Sequence, residues 1–343
     1  MAADPRPTIR DIAREAGVST TAVSFALNNR PGISVATRER ILQLAEDLGW
    51  TPSIAARALS SQRARAVGLI IGRPLGSFAG ERFFFHFMMG VERGLSAHRY
   101  SFVFHTAAEM SDELDTYRRW WAERRVDAVI VVDLLQDDPR PALLAESGIP
   151  AVFAGDFPGY GAAVMSDEEA LMRRVIDYGR SLGIESMGYV AGPQSIVHSD
   201  RRLRAFAELT TAAGISGMGV AADDYTVEAG HDIVRQLHAA GDLPHFIAFD
   251  NEVLCLGATR ELVAQGIRVP DDVAVMSLED SQLCEVMVPA VTAIRRDSAE
   301  FGEQCAALVL DLLDGRAEAG TSVVFDPAPE VIERASTAIA PAS

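Results

Sequence analysis

Residues Thr8 to Asn28 read TIRDIAREAGVSTTAVSFALN, and three signals within them set the local structure. Thr8 stands three residues before Asp11, the spacing of a capping box, in which a hydroxyl and a carboxylate each satisfy a free N–H of a helix's first turn. Gly17 ends that helix after Ala16, since glycine enters the left-handed region at no steric cost. Ser19 offers an N-cap to a second short helix over Thr20 to Asn28. Beyond a loop of Asn29, Arg30, Pro31 and Gly32, Ser34 caps a third helix whose Ile41, Leu44, Ala45 and Leu48 share one face, and Gly49 stops it. Ile12, Ala16, Val18, Val23 and Leu27 supply a small core. Helix, glycine turn and capped helix together fit helix-turn-helix geometry, in which the second helix enters the major groove and its first side chains reach base edges. Here those side chains are Thr20, Thr21 and Phe25, with Asn28 near the end. An ordinary three-helix bundle fits the same signals.

Thr51-Pro52-Ser53 then breaks the chain. Ile54 to Leu59 can make one or two helical turns, too few to be stable alone in water. Ser60 to Arg65 is polar and basic, a linker by composition. From Ala66 the pattern changes to short β-runs alternating with amphipathic helices. The runs are Ala66–Gly72, Tyr100–His105, Val126–Val132, Pro150–Ala154, Met187–Ala191, His245–Asp250 and Val273–Leu278; Glu81–Ala97 and Ser111–Glu123 have helix length. Such alternation builds parallel sheets from βαβ units. About 280 residues is more than one open sheet needs, so two α/β lobes are expected, with a ligand cleft at the C-terminal ends of the strands.

The charge divides at the same boundary. The 343-residue chain carries 31 basic and 48 acidic side chains, a formal charge of −17. That balance alone argues against a polyanionic partner. Residues 1–65, however, hold nine arginines against six acids, +3, and the remainder holds 22 arginines against 42 acids, −20. The acidity belongs to the large part alone.

Every basic residue is arginine. The absence of lysine excludes a GK[ST] phosphate loop, a lysine Schiff base and a kinase lysine. HExxH, GxSxG and GxGxxG are absent, and no two of the seven histidines stand at i, i+3 or i+4. Cys255, Cys284 and Cys305 lie far apart and read as small buried hydrophobes, not as a disulfide framework or a zinc site. No catalytic residue, metal or cofactor is expected. The N-terminal residues lack an apolar secretion signal and no apolar run approaches the ~20 residues of a membrane span, so a cytoplasmic protein without a membrane partner is expected.

The detail of the first sixty residues goes further. Thr8 to Ser19, Ala22-Val23-Ser24-Phe25-Ala26-Leu27-Asn28, Ser34, Thr37 to Ile41, Gly49 to Ser53 and Ala56-Arg57-Ala58-Leu59 closely resemble the headpiece of the lactose-repressor (LacI/GalR) family, and the resemblance runs over nearly the whole chain. It implies a bacterial transcription regulator, expected to be a repressor, that binds a near-palindromic double-stranded operator as a homodimer. Its DNA contacts would come from Thr8, Arg10, Ser19, Thr20, Thr21, Ser24, Phe25, Asn28, Arg57 and Leu59. Leu59 takes the place of a hinge leucine that wedges into the minor groove; an apolar wedge unstacks a base step and kinks the duplex. Phe25 stands where the family often has arginine or another polar reader, and a phenyl ring cannot read guanine bidentately.

The same resemblance implies an α/β fold: an all-α headpiece followed by a two-lobed periplasmic-binding-protein-like effector domain with parallel sheets. The expected division is 1–52 headpiece, 53–65 hinge and linker, and 66–343 effector and dimerisation domain. Within the last, the first lobe takes about 66–163 and 294–321 and the second 164–293 and 322–343. A small-molecule effector, a sugar or related metabolite, is expected between the lobes, against Phe83, Phe84, Asp156, Arg202, Tyr225, Asp250 and Glu279. Three departures mark this pocket: Asp250-Asn251 reverses the family's usual Asn-Asp, Ser277-Leu278-Glu279-Asp280 replaces a Gly-aromatic-Asp-Asp element, and Gly155 precedes Asp156 where the acid is expected one place earlier. The chain ends without a leucine heptad, so no tetramer-forming tail is expected. Inducer and corepressor action both remain open. The other classes weighed are an enzyme using Glu279 or Asp250 as base, against which stands the lack of a catalytic constellation, and a periplasmic-type solute-binding protein, against which stand the headpiece and the missing signal.

Overall fold

The computed structural model describes residues 7–27, 29–50, 63–73, 81–156, 160–325 and 329–339. The chain forms two compact units, residues 1–64 and 65–343.

The first unit holds α1 (Ile9–Ala16), α2 (Thr20–Leu27) and α3 (Val35–Asp47). The capping box forms as expected. The Thr8 hydroxyl accepts from Asp11 N and the Asp11 carboxylate accepts from Thr8 N. Gly17 closes α1 at φ 64°. Ser19 Oγ accepts from Ala22 N and Ser34 Oγ from Thr37 N, so all three helices start on a side-chain cap. Ile12, Val23 and Ile41, each fully buried, meet at the centre with Ala13, Ala16, Ala26 and Ala45. Val18, Leu27 and Leu44 pack at the edge of that core. Arg38 spans the loop between α2 and α3, donating to Asn29 Oδ1 at 2.7 Å and to the Arg30 carbonyl at 2.6 Å.

The second unit runs β1 (Ala66–Ile71), α4 (Arg82–Ser96), β2 (Ser101–Thr106), α5 (Met110–Ala122), β3 (Ala128–Val131), α6 (Arg140–Ser147), β4 (Ala151–Ala154) and β5 (Ala162–Ser166). It continues through α7 (Glu168–Ser181), β6 (Ser186–Ala191), α8 (Val197–Ala213), β7 (Ser216–Ala221), α9 (Val227–Ala240), β8 (Phe246–Phe249), α10 (Glu252–Ala264), β9 (Ala274–Ser277), α11 (Gln282–Val286) and β10 (Thr292–Arg295). α12 (Ser298–Leu313), β11 (Ser322–Phe325), β12 (Glu330–Ile332) and a 3-10 turn (Ala335–Thr337) complete it.

These strands form two six-stranded sheets, ordered β11-β5-β4-β3-β1-β2 and β12-β10-β9-β8-β6-β7. Every pairing is parallel except β12 on β10. The central strands β1, β3, β8 and β9 are buried throughout. Covered on both faces by helices, they read as continuous apolar runs, which is why they stand out in the sequence.

Three expected lobe boundaries are corrected by the register. β5 belongs wholly to the first sheet, so the first crossing falls at Asp167 and not at residue 164. β10 pairs with β9 in the second sheet, which moves the return crossing from 294 to Arg296. β11 pairs in parallel with β5, Ser322 opposite Ala163, so 322–325 lies in the first lobe and not the second. A four-residue edge strand such as Ser-Val-Val-Phe carries no periodicity that tells which sheet it will join.

The first lobe's helices α4 and α12 touch backbone to backbone. A Cβ added at Gly90 would lie 1.9 Å from the Ala299 carbonyl oxygen. Gly90→Ala therefore sets two effects against each other. Helix propensity favours alanine by about 1 kcal/mol. The clash with backbone, which cannot rotate away, opposes it with an overpacking cost of up to about 3 kcal/mol or more. The expected net result is destabilisation, seen as a lower urea midpoint; a raised midpoint would show that the two helices are free to separate.

Candidate functional site

In the first unit, Thr8, Arg10, Ser19, Thr20 and Thr21 are exposed, whereas Ser24 and Phe25 are half-buried. The exposed hydroxyls of Thr20 and Thr21 occupy the first turn of α2, where a helix presents its N-terminal side chains outward. Thr8 differs: its hydroxyl donates to Asp11 Oδ2 at 2.7 Å and is engaged in the cap. Phe25 packs against the loop, since a Cβ at Gly32 would meet its ring at 3.1 Å. The ring thus props the α2–α3 turn. Asn28, Arg57 and Leu59 lie outside the described residues, as does the hinge over 53–62.

In the second unit a cleft partly open to solvent lies between the two lobes. The C-terminal ends of the parallel strands deliver most of its polar groups, as expected for sheets of this kind. Arg73 follows β1, Asp133 follows β3, Asp167 and Glu168 follow β5, Asp250 follows β8 and Glu279 follows β9. Phe83 and Phe84 open α4; Phe301 in α12 and Phe325 in β11 extend the aromatic wall, with the rings of Phe301 and Phe325 5.1 Å apart. From the second lobe Tyr225 faces them.

Two arginines organise the charge. Arg73 lies between the Phe84 ring at 4.9 Å and the Tyr225 ring at 5.1 Å, and pairs with Glu81 and Asp133, each at 2.9 Å. Its cation thereby joins the two lobes through ring faces. Arg202, buried in α8, pairs with Glu168 and, at 2.8 Å, with Asp250 Oδ1. Asp250 is fully engaged by the protein. Tyr189 donates to Oδ1 at 2.6 Å, and Tyr225 and the Gly192 N–H donate to Oδ2 at 2.8 and 3.3 Å. Gly192 is required by close approach: a Cβ there would lie 2.0 Å from Tyr225 Cζ. At the second crossing Arg296 donates to Glu279 Oε2 at 3.1 Å, and Ser298 Oγ to Glu279 Oε1 at 3.2 Å.

Burial raises carboxyl pKa values, and the local cations decide which of them come back down. For Asp250 burial is outweighed by Arg202, His198 and the Tyr189 hydroxyl, which hold it well below the usual carboxylate range. Glu168 is also held low, burial being outweighed by Arg202. Burial wins at Glu81, pushed up to about 8 despite Arg73, and at Glu279, raised despite Arg296. It wins too at Glu252, pushed up to about 7.

Of the effector residues expected from the sequence, the cleft brings together Phe83, Phe84, Arg202, Tyr225, Asp250 and Glu279. Asp156 is not in the lining; its carboxylate pairs with Arg201 at the surface. Sequence reasoning passed over Arg73, Glu81, Asp133, Glu168 and Glu252, and named Asn251 only as the partner of Asp250 in a reversed pair. The available signal was position, because several of them directly follow a strand's C-terminal end. Among the described residues no group of three or more His, Cys, Asp or Glu side chains could hold a metal ion. No helix among them is long and apolar enough to cross a membrane.

Two family models match the chain: "Bacterial regulatory proteins, lacI family" over residues 8–53, and "Periplasmic binding protein-like domain" over residues 176–337. The transcriptional regulator CelR of Thermobifida fusca is 30% identical over 328 residues, covering 94% of this chain and 96% of its own. The chain belongs to the LacI family. It is a DNA-binding transcriptional regulator, and the homologues are regulators of transcription, not enzymes. Among solved structures, a CelR–cellobiose complex is 27% identical, with a TM-score of 0.72 over 96% of this chain and all of that one. A lac repressor dimer bound to operator and the anti-inducer ONPF has a TM-score of 0.81 over 96% of this chain and 99% of that one; at 22% identity it shares the fold. Within the family the α1–α3 unit is the DNA-binding part, and the two-lobed unit is the periplasmic-binding-protein-like part.

Proposed function

We propose that the chain is a cytoplasmic repressor without catalytic turnover. Two copies hold a near-palindromic operator through α1–α3, and a neutral saccharide bound between the lobes changes that hold. The observation that carries the effector class is the cleft itself. Phe83, Phe84, Phe301 and Phe325 of the first lobe and Tyr225 of the second line it beside polar groups delivered by both lobes. Rings suit the apolar faces of sugars, and fixed polar groups suit their hydroxyls. The kinship with CelR makes cellobiose the first ligand to try. Thr20 and Thr21 are proposed as base or phosphate contacts, with Arg10 and Ser19 on the same unit, and Asn28, Arg57 and Leu59 are proposed as further DNA contacts.

The test is fluorescence anisotropy of the full chain on DNA from upstream of its own gene, with and without cellobiose and related sugars. Specific binding that a sugar changes at least tenfold supports the proposal, and binding indifferent to every sugar counts against the effector half. For the DNA half, Thr21→Asp is informative. An acid in the first turn of α2 suits the helix dipole, so folding is preserved. The added charge faces phosphates, and specific affinity is expected to fall at least tenfold. Unchanged affinity would remove α2 from the interface.

A further inference from the structure

We infer that Leu134, Leu135 and Gln136 of the first lobe form a strap docked on residues 194–197 of the second, and that this strap holds the lobes together before any effector arrives. The inference concerns the free protein and stands apart from the identity of its ligand.

The strap is built mainly from backbone. Leu135 forms an antiparallel bridge with Ile196. The Val197 N–H donates to the Leu134 carbonyl at 2.8 Å, and the Gln136 N–H to the Ser195 carbonyl at 3.0 Å. Gln136 Nε2 adds a bond to the Gln194 carbonyl at 3.3 Å. The Leu135 side chain packs against the second-lobe core that contains Ile196 and Tyr225. A first-lobe loop thus pairs with, and buries apolar surface on, a lobe to which it does not belong.

Local chemistry explains why the contact forms. The first N–H groups of a helix have no partner within it. In α7, α9, α10 and α11 the side chains of Asp167, Thr226, Asn251 and Ser281 supply an acceptor. α8 begins after Ile196, which has no polar side chain, and its first N–H is satisfied by Leu134 of the other lobe. The same happens in the opposite direction. α4 begins after Glu81, whose side chain makes no cap bond, and its first N–H, on Arg82, donates to Glu252 Oε1 of the second lobe at 3.0 Å. Each lobe therefore caps a helix of the other, and opening the cleft uncaps both.

The strap's shape is fixed from within the first lobe. Arg140, 1% exposed, donates to the carbonyls of Val132 and Asp133 at 3.0 and 2.8 Å. It also donates to the carboxylates of Glu113 and Asp138 at 3.0 and 2.6 Å. Asp138 in turn accepts from Leu135 N at 3.1 Å. Both ends of the strap are pinned to one buried guanidinium, so docking orders little additional chain.

The test is hydrogen exchange of the full chain without ligand, read at single amides by mass spectrometry. Gln136 and Arg82 report on the two inter-lobe contacts, and Val129 in β3 and Ala274 in β9 on the two sheets. Val197→Pro removes one strap donor and keeps the helix. Proline suits a helix's first position, and Ile196 already has the extended backbone that precedes it. Leu135→Ala removes the apolar anchor instead. In the native chain Gln136 and Arg82 are expected to exchange roughly a hundredfold slower than an unstructured chain. In each variant both should speed up by about tenfold or more, while Val129 and Ala274 keep their native rates. Fast exchange of Gln136 in the native chain overturns the strap. Faster exchange at Gln136 alone, or at neither reporter, overturns its hold on the lobes. Should a variant lose protection at Val129 or Ala274, the native chain in low urea decides. Amides released by one opening share one urea slope, and unequal slopes for Gln136 and Arg82 overturn the proposal.

Discussion

Replacing Arg202 by methionine is expected to destabilise the second unit by about 3–5 kcal/mol at pH 7 and to abolish any effector response. The magnitude follows from what the substitution leaves behind. Arg202 is the shared cation of Glu168 and Asp250; Asp250 is buried and the Glu168 side chain is only 10% exposed. Removing one partner of a buried pair costs about that much because the remaining charge has neither water nor a counterion. Tyr189, Tyr225 and the Gly192 N–H would still reach Asp250, which keeps the loss from being larger. The pH dependence gives the effect a signature. In the native protein the depressed pKa of Asp250 contributes stability that is present above its unfolded value of 3.8 and lost as pH falls through the folded value. Without the guanidinium that depression goes, so the variant's deficit should be complete above the unfolded value of 3.8 and shrink as pH falls below it. Urea unfolding of both proteins at pH 7 and pH 3 measures this. A pH-independent deficit would mean that lost packing, not uncompensated charge, is responsible. The double variant Arg202→Met with Asp250→Asn should recover part of the stability, because it removes one of the stranded charges.

How far the molecule was legible in its sequence differs between its parts. The first unit was legible almost residue by residue, because short helices depend on local signals. Thr8, Gly17, Ser19 and Ser34 each do in the structure what their chemistry dictates. The central strands were legible because burial on both faces leaves an unbroken apolar run. The edge strands β7, β11 and β12 were not, nor were the short inner strands β5 and β10. Ser216–Ala221 has two glycines and little burial, and Ser322–Phe325 buries only Phe325, so neither run announces a strand or a sheet. The cleft was half legible. Phe83, Phe84, Arg202 and Tyr225 were found by resemblance, yet resemblance cannot say which polar atoms are already used. Asp250 was expected to greet a ligand and is surrounded by four protein donors. Its neighbours Asn251 and Glu252 each keep one buried atom without a hydrogen-bond partner. Arg73 was invisible because its role depends on Tyr225 and Glu81, brought to it only by the fold.

Glu252→Gln is expected to stabilise the protein at pH 8 by about 3 kcal/mol and to leave it nearly unchanged at pH 4.5. Glu252 is pushed up to about 7 by burial, the Arg82 N–H opposes that shift, and Glu279 adds to it. The groups around it are Arg82, Glu81 and Glu279, with Cys255 and Cys284 on the second-lobe side. For an acid whose folded pKa is raised, the ionised form is the disfavoured one. The penalty is absent below the unfolded value of 4.5, grows as pH rises from there towards 7, and is complete above it. The rise from 4.5 to about 7, at roughly 1.4 kcal/mol per tenfold change in proton affinity, gives the expected size. Glutamine carries no charge at any of these pH values and keeps the acceptor for Arg82 N. Calorimetric melting of both chains from pH 4.5 to pH 8 should therefore give curves that diverge upward in pH, with the variant higher; parallel curves would mean that Glu252 has found a compensating donor.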